Sequence, residues 1–299
     1  MKNLKRLHLS IYSVLLLLVL LPLDSYAQDS LKVYISADME GIAGASSSSQ
    51  VSSNGIEYEK FRRIMTLEVN AAIDGAFAAG ATEVLVADSH GNAQNIDVEL
   101  LDSRVQLVRS WPRSEGMVHG IDETFDAVVL VGYHAREGDY GILAHTFTGS
   151  VGLTLNGEPT SEATFAAAIA GHFGVPVVFL SGDQIITSDA QRQFGSIEVA
   201  VVKESFGFNA AKMLHPEEAR RLIRVGVERG VRQRDDIQPF VMESPVSLEL
   251  RWEDPAMAEI VSLINGSERI DGMTSRFTGD DMIEVVNFFE VVHHIRLPQ

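Results

Sequence analysis

Cysteine is absent from all 299 residues. Disulfides, thiol redox chemistry and anchoring through a lipidated cysteine are thereby excluded. Positive charge is scarce, with 24 Lys and Arg against 41 Asp and Glu and a formal net charge of −17. Such an acidic surface repels nucleic acid and anionic lipid, so neither is an expected partner, and it concentrates cations. No apolar run reaches the roughly 20 residues that a bilayer span needs. The most apolar one, Ile11 to Leu21, follows Lys2, Lys5 and Arg6 and precedes Pro22 and Ser25-Tyr26-Ala27. That is the layout of an export signal cleaved after Ala27. The mature chain is expected in the periplasm or outside the cell, without stable membrane association. Its charge is −19, because Lys2, Lys5, Arg6 and Asp24 leave with residues 1–27.

About 270 mature residues suffice for one large core and a smaller second unit. Three strand-like apolar runs stand out: Val33 to Ala37, Val84 to Ala87 and Val128 to Val131. Between the first two, Phe61, Met65, Val69, Ala72, Ile73 and Ala76 recur at helical spacing and Gly80 stops the pattern. This predicts a right-handed β-α-β unit. Further strands are expected at 105–108, 175–180 and 199–202, helices at 161–172 and 215–229, and a hairpin at Asn156-Gly157. The polar stretch Ser46 to Asn54 reads as a mobile loop. Residues 229–238 are charged and aperiodic, which places a domain boundary there. The expected organisation is a large α/β domain over 28–235 and a small α+β domain over 236–299. The latter reads strand 246–250, helix 255–264, strand 269–273 and helix 279–295, and is too small to stand alone. The fold class is α/β, a mostly parallel sheet flanked by helices.

Open parallel sheets bind their ligands beyond the carboxyl ends of the strands. The three runs end in Asp38-Met39-Glu40, Asp88-Ser89-His90 and Gly132-Tyr133-His134. The two-residue spacing of Asp38 and Glu40 points both carboxylates to one side, where each raises the other's pKa unless a cation intervenes. With His90 and His134 they form the mixed nitrogen and oxygen set that suits zinc. So many ligands favour two metals over one. His145, in a loop flanked by glycines, is a candidate acid, base or oxyanion stabiliser. Glu162, from position alone, complements a helix dipole. His119, His172, His215, His293 and His294 lack such company and read as structural or surface residues.

In order and spacing these stretches resemble the M55 family of D-aminopeptidases from Lys32 to at least Met213. The matching segments are Ser36 to Gly41, Asp88-Ser89-His90, Gly132 to Ala135, Ala144-His145, Gly157 to Glu162 and Ser181-Gly182-Asp183, with Tyr58 to Arg62 as the first helix. The resemblance implies two zinc ions per subunit, short peptide substrates with a D-residue at the amino end, and a ring-like homo-oligomer. It implies that Asp38 bridges the metals, that Glu40, His90, His134 and Glu162 complete the ligand set, and that His145 is catalytic. Three positions depart from the family: Ser161 for a usual Gly, Ala166 for a common Asn, and Gln184 for a common acid. They are expected to alter contacts lining the pocket. Water acidified by two cations is a better nucleophile here than His145, because acyl transfer to imidazole leaves a poorly stabilised intermediate. Two other readings are a bimetallic phosphoesterase and a non-catalytic exported protein that binds metal or peptide. The shortage of basic residues near the ligands, Arg136 excepted, speaks against the first. The presence of His145 beside the ligands speaks against the second.

Overall fold

The computed structural model describes residues 30–148 and 151–295. The export signal expected at residues 1–27 lies outside the described residues. From β1 (Lys32–Ala37) the chain passes through α1 (Ser48–Val51) and α2 (Tyr58–Ala78) into β2 (Glu83–Asp88), β3 (Gln106–Val108) and β4 (Ala127–Val131). A hairpin of β5 (Val151–Leu155) and β6 (Glu158–Pro159) precedes α3 (Glu162–His172). Next come β7 (Val177–Asp183), α4 (Gln184–Phe194), β8 (Glu198–Ser205), β9 (Ala211–Met213) and α5 (Pro216–Arg232). The C-terminal segment adds β10 (Val246–Trp252), α6 (Pro255–Val261), β11 (Ser267–Arg269), β12 (Thr274–Gly279) and α7 (Met282–His293).

The larger sheet runs β3-β2-β1-β4-β7-β8-β9, parallel except for the antiparallel pairing of β9 with β8. Every residue of β4 and β7 is buried, as strands covered on both faces require. Helices α2 and α5 pack together on one face, and α3 and α4 contact β4, β7 and β8 from the other. Successive strands step from β1 outward to β3 and then from β4 in the opposite direction. The gap between β1 and β4 is therefore the topological switch point, where such sheets bind ligands.

The smaller sheet is antiparallel, in the order β11-β12-β10-β5-β6. The C-terminal segment thus shares its sheet with the mid-chain hairpin, and α7 packs on α3. The single strand expected at 269–273 is a turn between two strands. Asp271 accepts bonds there from Met273 N (2.7 Å) and Thr274 Oγ1 (3.0 Å), which reverses the chain. The loop expected at Ser46 to Asn54 also differs, because it contains α1. Gln50 Oε1 accepts from the amides of Ser46 (2.7 Å) and Ser47 (3.1 Å), and Val51 is buried.

Candidate metal centre

The chain leaves β1 still bonded to β4: Asp38 N donates to Val131 O (2.8 Å) and Gly41 N to Gly132 O (2.7 Å). Gly132 has φ +72°, and a Cβ there would meet Asp38 O at 2.4 Å. Only glycine lets the two strand ends approach this closely. Asp38 and Glu40 stand in the turn after the strand, yet both face His90, which follows β2. His90 Nδ1 lies 3.2 Å from Asp38 Oδ1 and 2.9 Å from Glu40 Oε2. The other Asp38 oxygen faces the end of β4, where His134 Nε2 lies 3.3 Å from Asp38 Oδ2 and 3.4 Å from Glu162 Oε1. Glu162 opens α3 behind Ser161, whose Oγ caps the helix by accepting from Thr164 N at 3.1 Å.

Each imidazole is locked by a backbone carbonyl. His90 Nε2 donates to Val51 O (2.8 Å), His134 Nδ1 to Ala135 O (2.9 Å) and His145 Nδ1 to Leu143 O (2.7 Å). Because a carbonyl can only accept, these bonds fix each tautomer and aim the remaining lone pair into the cluster. Two groups result, Asp38-Glu40-His90 and His134-His145-Glu162, with ligand atoms in each within 4.8 Å of one another.

The donor set fits a pair of cations. Asp38 Oδ2, Glu40 Oε2 and His134 Nε2 are buried and make no hydrogen bond, although each has a polar neighbour close by. Zinc ligands at about 2.0–2.1 Å stand about 3.3 Å apart on a tetrahedron, and the spacings around His134 Nε2 are 3.3 and 3.4 Å. His145 behaves differently. Its ring stacks on that of His134 with centroids 4.2 Å apart and planes 5° from parallel. The stacking sets the two rings in separate parallel planes, an arrangement in which His134 would serve as the ligand and His145 would stand beside the set. His145 Nε2, 3.8 Å from Glu162 Oε1 and on a partly exposed ring, faces the cleft beside the ligands.

Electrostatics agree. Burial, reinforced by the Glu40 charge, pushes the Asp38 carboxyl up to about 7. For Glu40 the burial penalty is outweighed by His90, which holds it well below the usual carboxylate range. His90 is raised well above its ordinary value, and His134 to about 10, because the carboxylates around them outweigh burial. Protons thus occupy the places of missing positive charge, and metal binding would displace them.

Other strand-end residues support the centre from outside. Asp88 accepts from Asn95 N (2.5 Å), Asn95 Nδ2 (2.8 Å) and Ile96 N (2.7 Å), so it braces the loop after His90. Asp183 caps α4 and accepts from Ile142 N (2.8 Å) on the way to His145. Lys203, which the sequence reading passed over, reaches the turn after Glu40. The centre opens into a cleft of about 550 Å³ that includes Trp111, Phe147, Glu290, His293 and His294. The last two histidines belong to the cleft wall, a role their sequence neighbours do not signal. Ser161, Ala166 and Gln184 do not line it: Ser161 is a cap, Ala166 lies inside α3, and Gln184 bonds Ser205 at the start of α4. Arg136 is turned to a separate hollow, paired with Asp139 at 3.0 Å.

Two adjoining groups of candidate metal ligands, with Asp38 between them at the switch point of a parallel sheet, fit the centre of a two-metal hydrolase. The profile of the D-aminopeptidase family, peptidase family M55, matches residues 31–291, and the chain belongs to that family. A D-aminopeptidase of Bacillus subtilis (strain 168) is 34% identical over 256 residues, which cover 85% of this chain and 93% of that protein. Among solved structures, the Zn-dependent D-aminopeptidase DppA from Bacillus subtilis, described as a self-compartmentalizing protease, superposes with a TM-score of 0.85. It shares 32% identity over 88% of this chain and 97% of its own.

Proposed function

We propose that this protein is a zinc-dependent aminopeptidase that removes the N-terminal residue, of D configuration, from short peptides. The observation that carries the reading is the division of Asp38: one oxygen serves the His90 and Glu40 side, the other the His134 and Glu162 side. When bound, two zinc ions supply Lewis acidity that polarises a carbonyl and acidifies water. Asp38, Glu40 and His90 would hold one ion, and Asp38, His134 and Glu162 the other. His145 Nε2 takes the proton released as water adds to the scissile carbonyl and returns it to the departing nitrogen. Its Nδ1–H bond to Leu143 O keeps the ring aimed during both transfers. No Lys or Arg occurs among the described residues lining the cleft, which suits an uncharged scissile amide better than a phosphoester. The signal-like first 27 residues support export, and the self-compartmentalizing relative supports assembly into a ring-like homo-oligomer.

Metal analysis of the purified protein, coupled to hydrolysis assays on paired D- and L-aminoacyl dipeptides, tests this directly. Two zinc ions per chain and preferential turnover of the D-series are expected. Turnover of phosphoesters but of no dipeptide overturns the reading. His145→Ala should lower turnover by roughly 10²–10⁴-fold while both zinc ions stay bound. Loss of zinc from that variant would make His145 a ligand.

A further inference from the structure

Lys203 is the one buried lysine among the described residues, and the hydrolytic scheme above does not use it. Its side chain leaves β8 and ends under the turn that joins β1 to α1. There Nζ donates to three main-chain carbonyls, Glu40 O at 2.5 Å, Ile42 O at 2.9 Å and Ala45 O at 2.7 Å. An ammonium has three protons, and each is spent on one carbonyl. None is spent on a carboxylate, so Lys203 is not one half of a hydrogen-bonded ion pair. Burial of an ammonium is costly, and an apolar side chain of similar length would fill the same space. What the charge gives in return is a fixed backbone path.

The turn needs such a fixture because it belongs to no helix or strand. Its remaining polar groups are held from other directions. Gly41 N donates to Gly132 O at 2.7 Å, and Ala43 N donates to Glu68 Oε1 of α2 at 2.9 Å. Lys203 and Glu68 thus grip the turn from β8 and α2, and the side chain it delivers to the centre is that of Glu40. His134 is placed by β4 and Glu162 by α3, and neither has a hydrogen bond to this grip.

We infer that Lys203 is a positioning residue that, with Glu68, fixes the turn carrying Glu40 and so shapes the Asp38-Glu40-His90 cation position selectively. The inference rests on the two-zinc reading, and its test separates the two. Zinc-free wild-type protein and Lys203→Met are titrated with zinc against a chromophoric chelator, yielding two dissociation constants for each. The variant should show one constant weakened by roughly 10–100-fold, the range for lost support behind a metal ligand. The other constant should change by less than about threefold, and amides 41–45 should exchange faster with solvent. Should Lys203→Met not fold, Glu68→Met strips the same turn of its other anchor and should weaken the same single constant. Two constants that stay put, or that fall together, overturn the inference. A wild-type protein that binds no zinc sinks the metal reading itself.

Discussion

A carboxylate whose two oxygens face different imidazoles cannot lose one oxygen without affecting both neighbours. Asp38→Asn replaces an acceptor with a donor and removes the charge that either cation would share. It should therefore lower zinc content at both positions, and turnover by more than the 10–100-fold typical of an outer-shell partner. Metal analysis finding one zinc retained at full occupancy would show that Asp38 serves a single ion. At the far wall of the cleft Glu290 invites a different experiment. Burial pushes its carboxyl up to about 7, against the smaller lowering effects of His294 and Arg113. A carboxyl raised in the folded state contributes stability that is fully present below its unfolded value of 4.5 and is lost as pH rises through about 7. At 1.36 kcal/mol per pH unit the window is worth about 3 kcal/mol. Glu290→Gln should thus gain on the wild type by up to that amount between pH 4.5 and pH 8, in urea unfolding of zinc-free protein. Parallel profiles for the two proteins would show that Glu290 is not strained by its charge.

Elements report on a coarser physics, the fit of faces. Helix α5 lies so close to the sheet that a Cβ at Gly226 would stand 2.5 Å from the Phe179 ring. Gly226→Ala should destabilise the fold by about 1–3 kcal/mol through overpacking. Zinc content should not change, because neither residue approaches the centre. An unchanged melting temperature would mean that α5 can lift off β7 freely. The same physics decides what the sequence made legible. Strands β1, β2, β4 and β7 were readable because burial on both faces leaves continuous apolar runs, and α2 because its buried stripe recurs every three or four residues. Helix α4 was missed, although Asp183 is a helix cap and Ile186, Ala190 and Phe194 are buried at helical spacing. A strand-end acid resembles a metal ligand as much as a cap. Helix α1 was invisible because a serine run has no periodicity, and its order comes from Gln50 and from its place beside His90. Lys203 could not be read at all. Its partners are carbonyls about 160 residues earlier in the chain, and carbonyls leave no mark in a sequence. Asp38, Glu40, His90 and His134 were legible for the opposite reason, because one topological rule brings strand ends together wherever they lie in the chain.

On the scale of the whole molecule, the question is whether residues 236–299 form a unit of their own. Their strand β10 pairs with β5 from the middle of the chain, and α7 carries Phe289 against Phe147 and Phe165, with ring centroids 4.4 and 5.2 Å away. Phe147 in turn donates its amide to Glu162 Oε1 at 2.5 Å. A chain of contacts therefore runs from the C-terminal helix to Glu162, a proposed ligand of the second cation position. Removing residues 236–299 would leave β5 with only the two-residue β6 as partner and would uncover the apolar side of α3. The shortened protein should be aggregation-prone, should bind hydrophobic dyes and should melt without a cooperative transition. Any soluble fraction should hold zinc poorly at the His134 and Glu162 side, where the support is lost. A truncated chain that melts cooperatively with two zinc ions bound would establish residues 28–235 as a self-sufficient domain. The strand sharing predicts the opposite, since an exposed edge at β5 and a bare aromatic cluster cannot be repaired from within the remaining sequence.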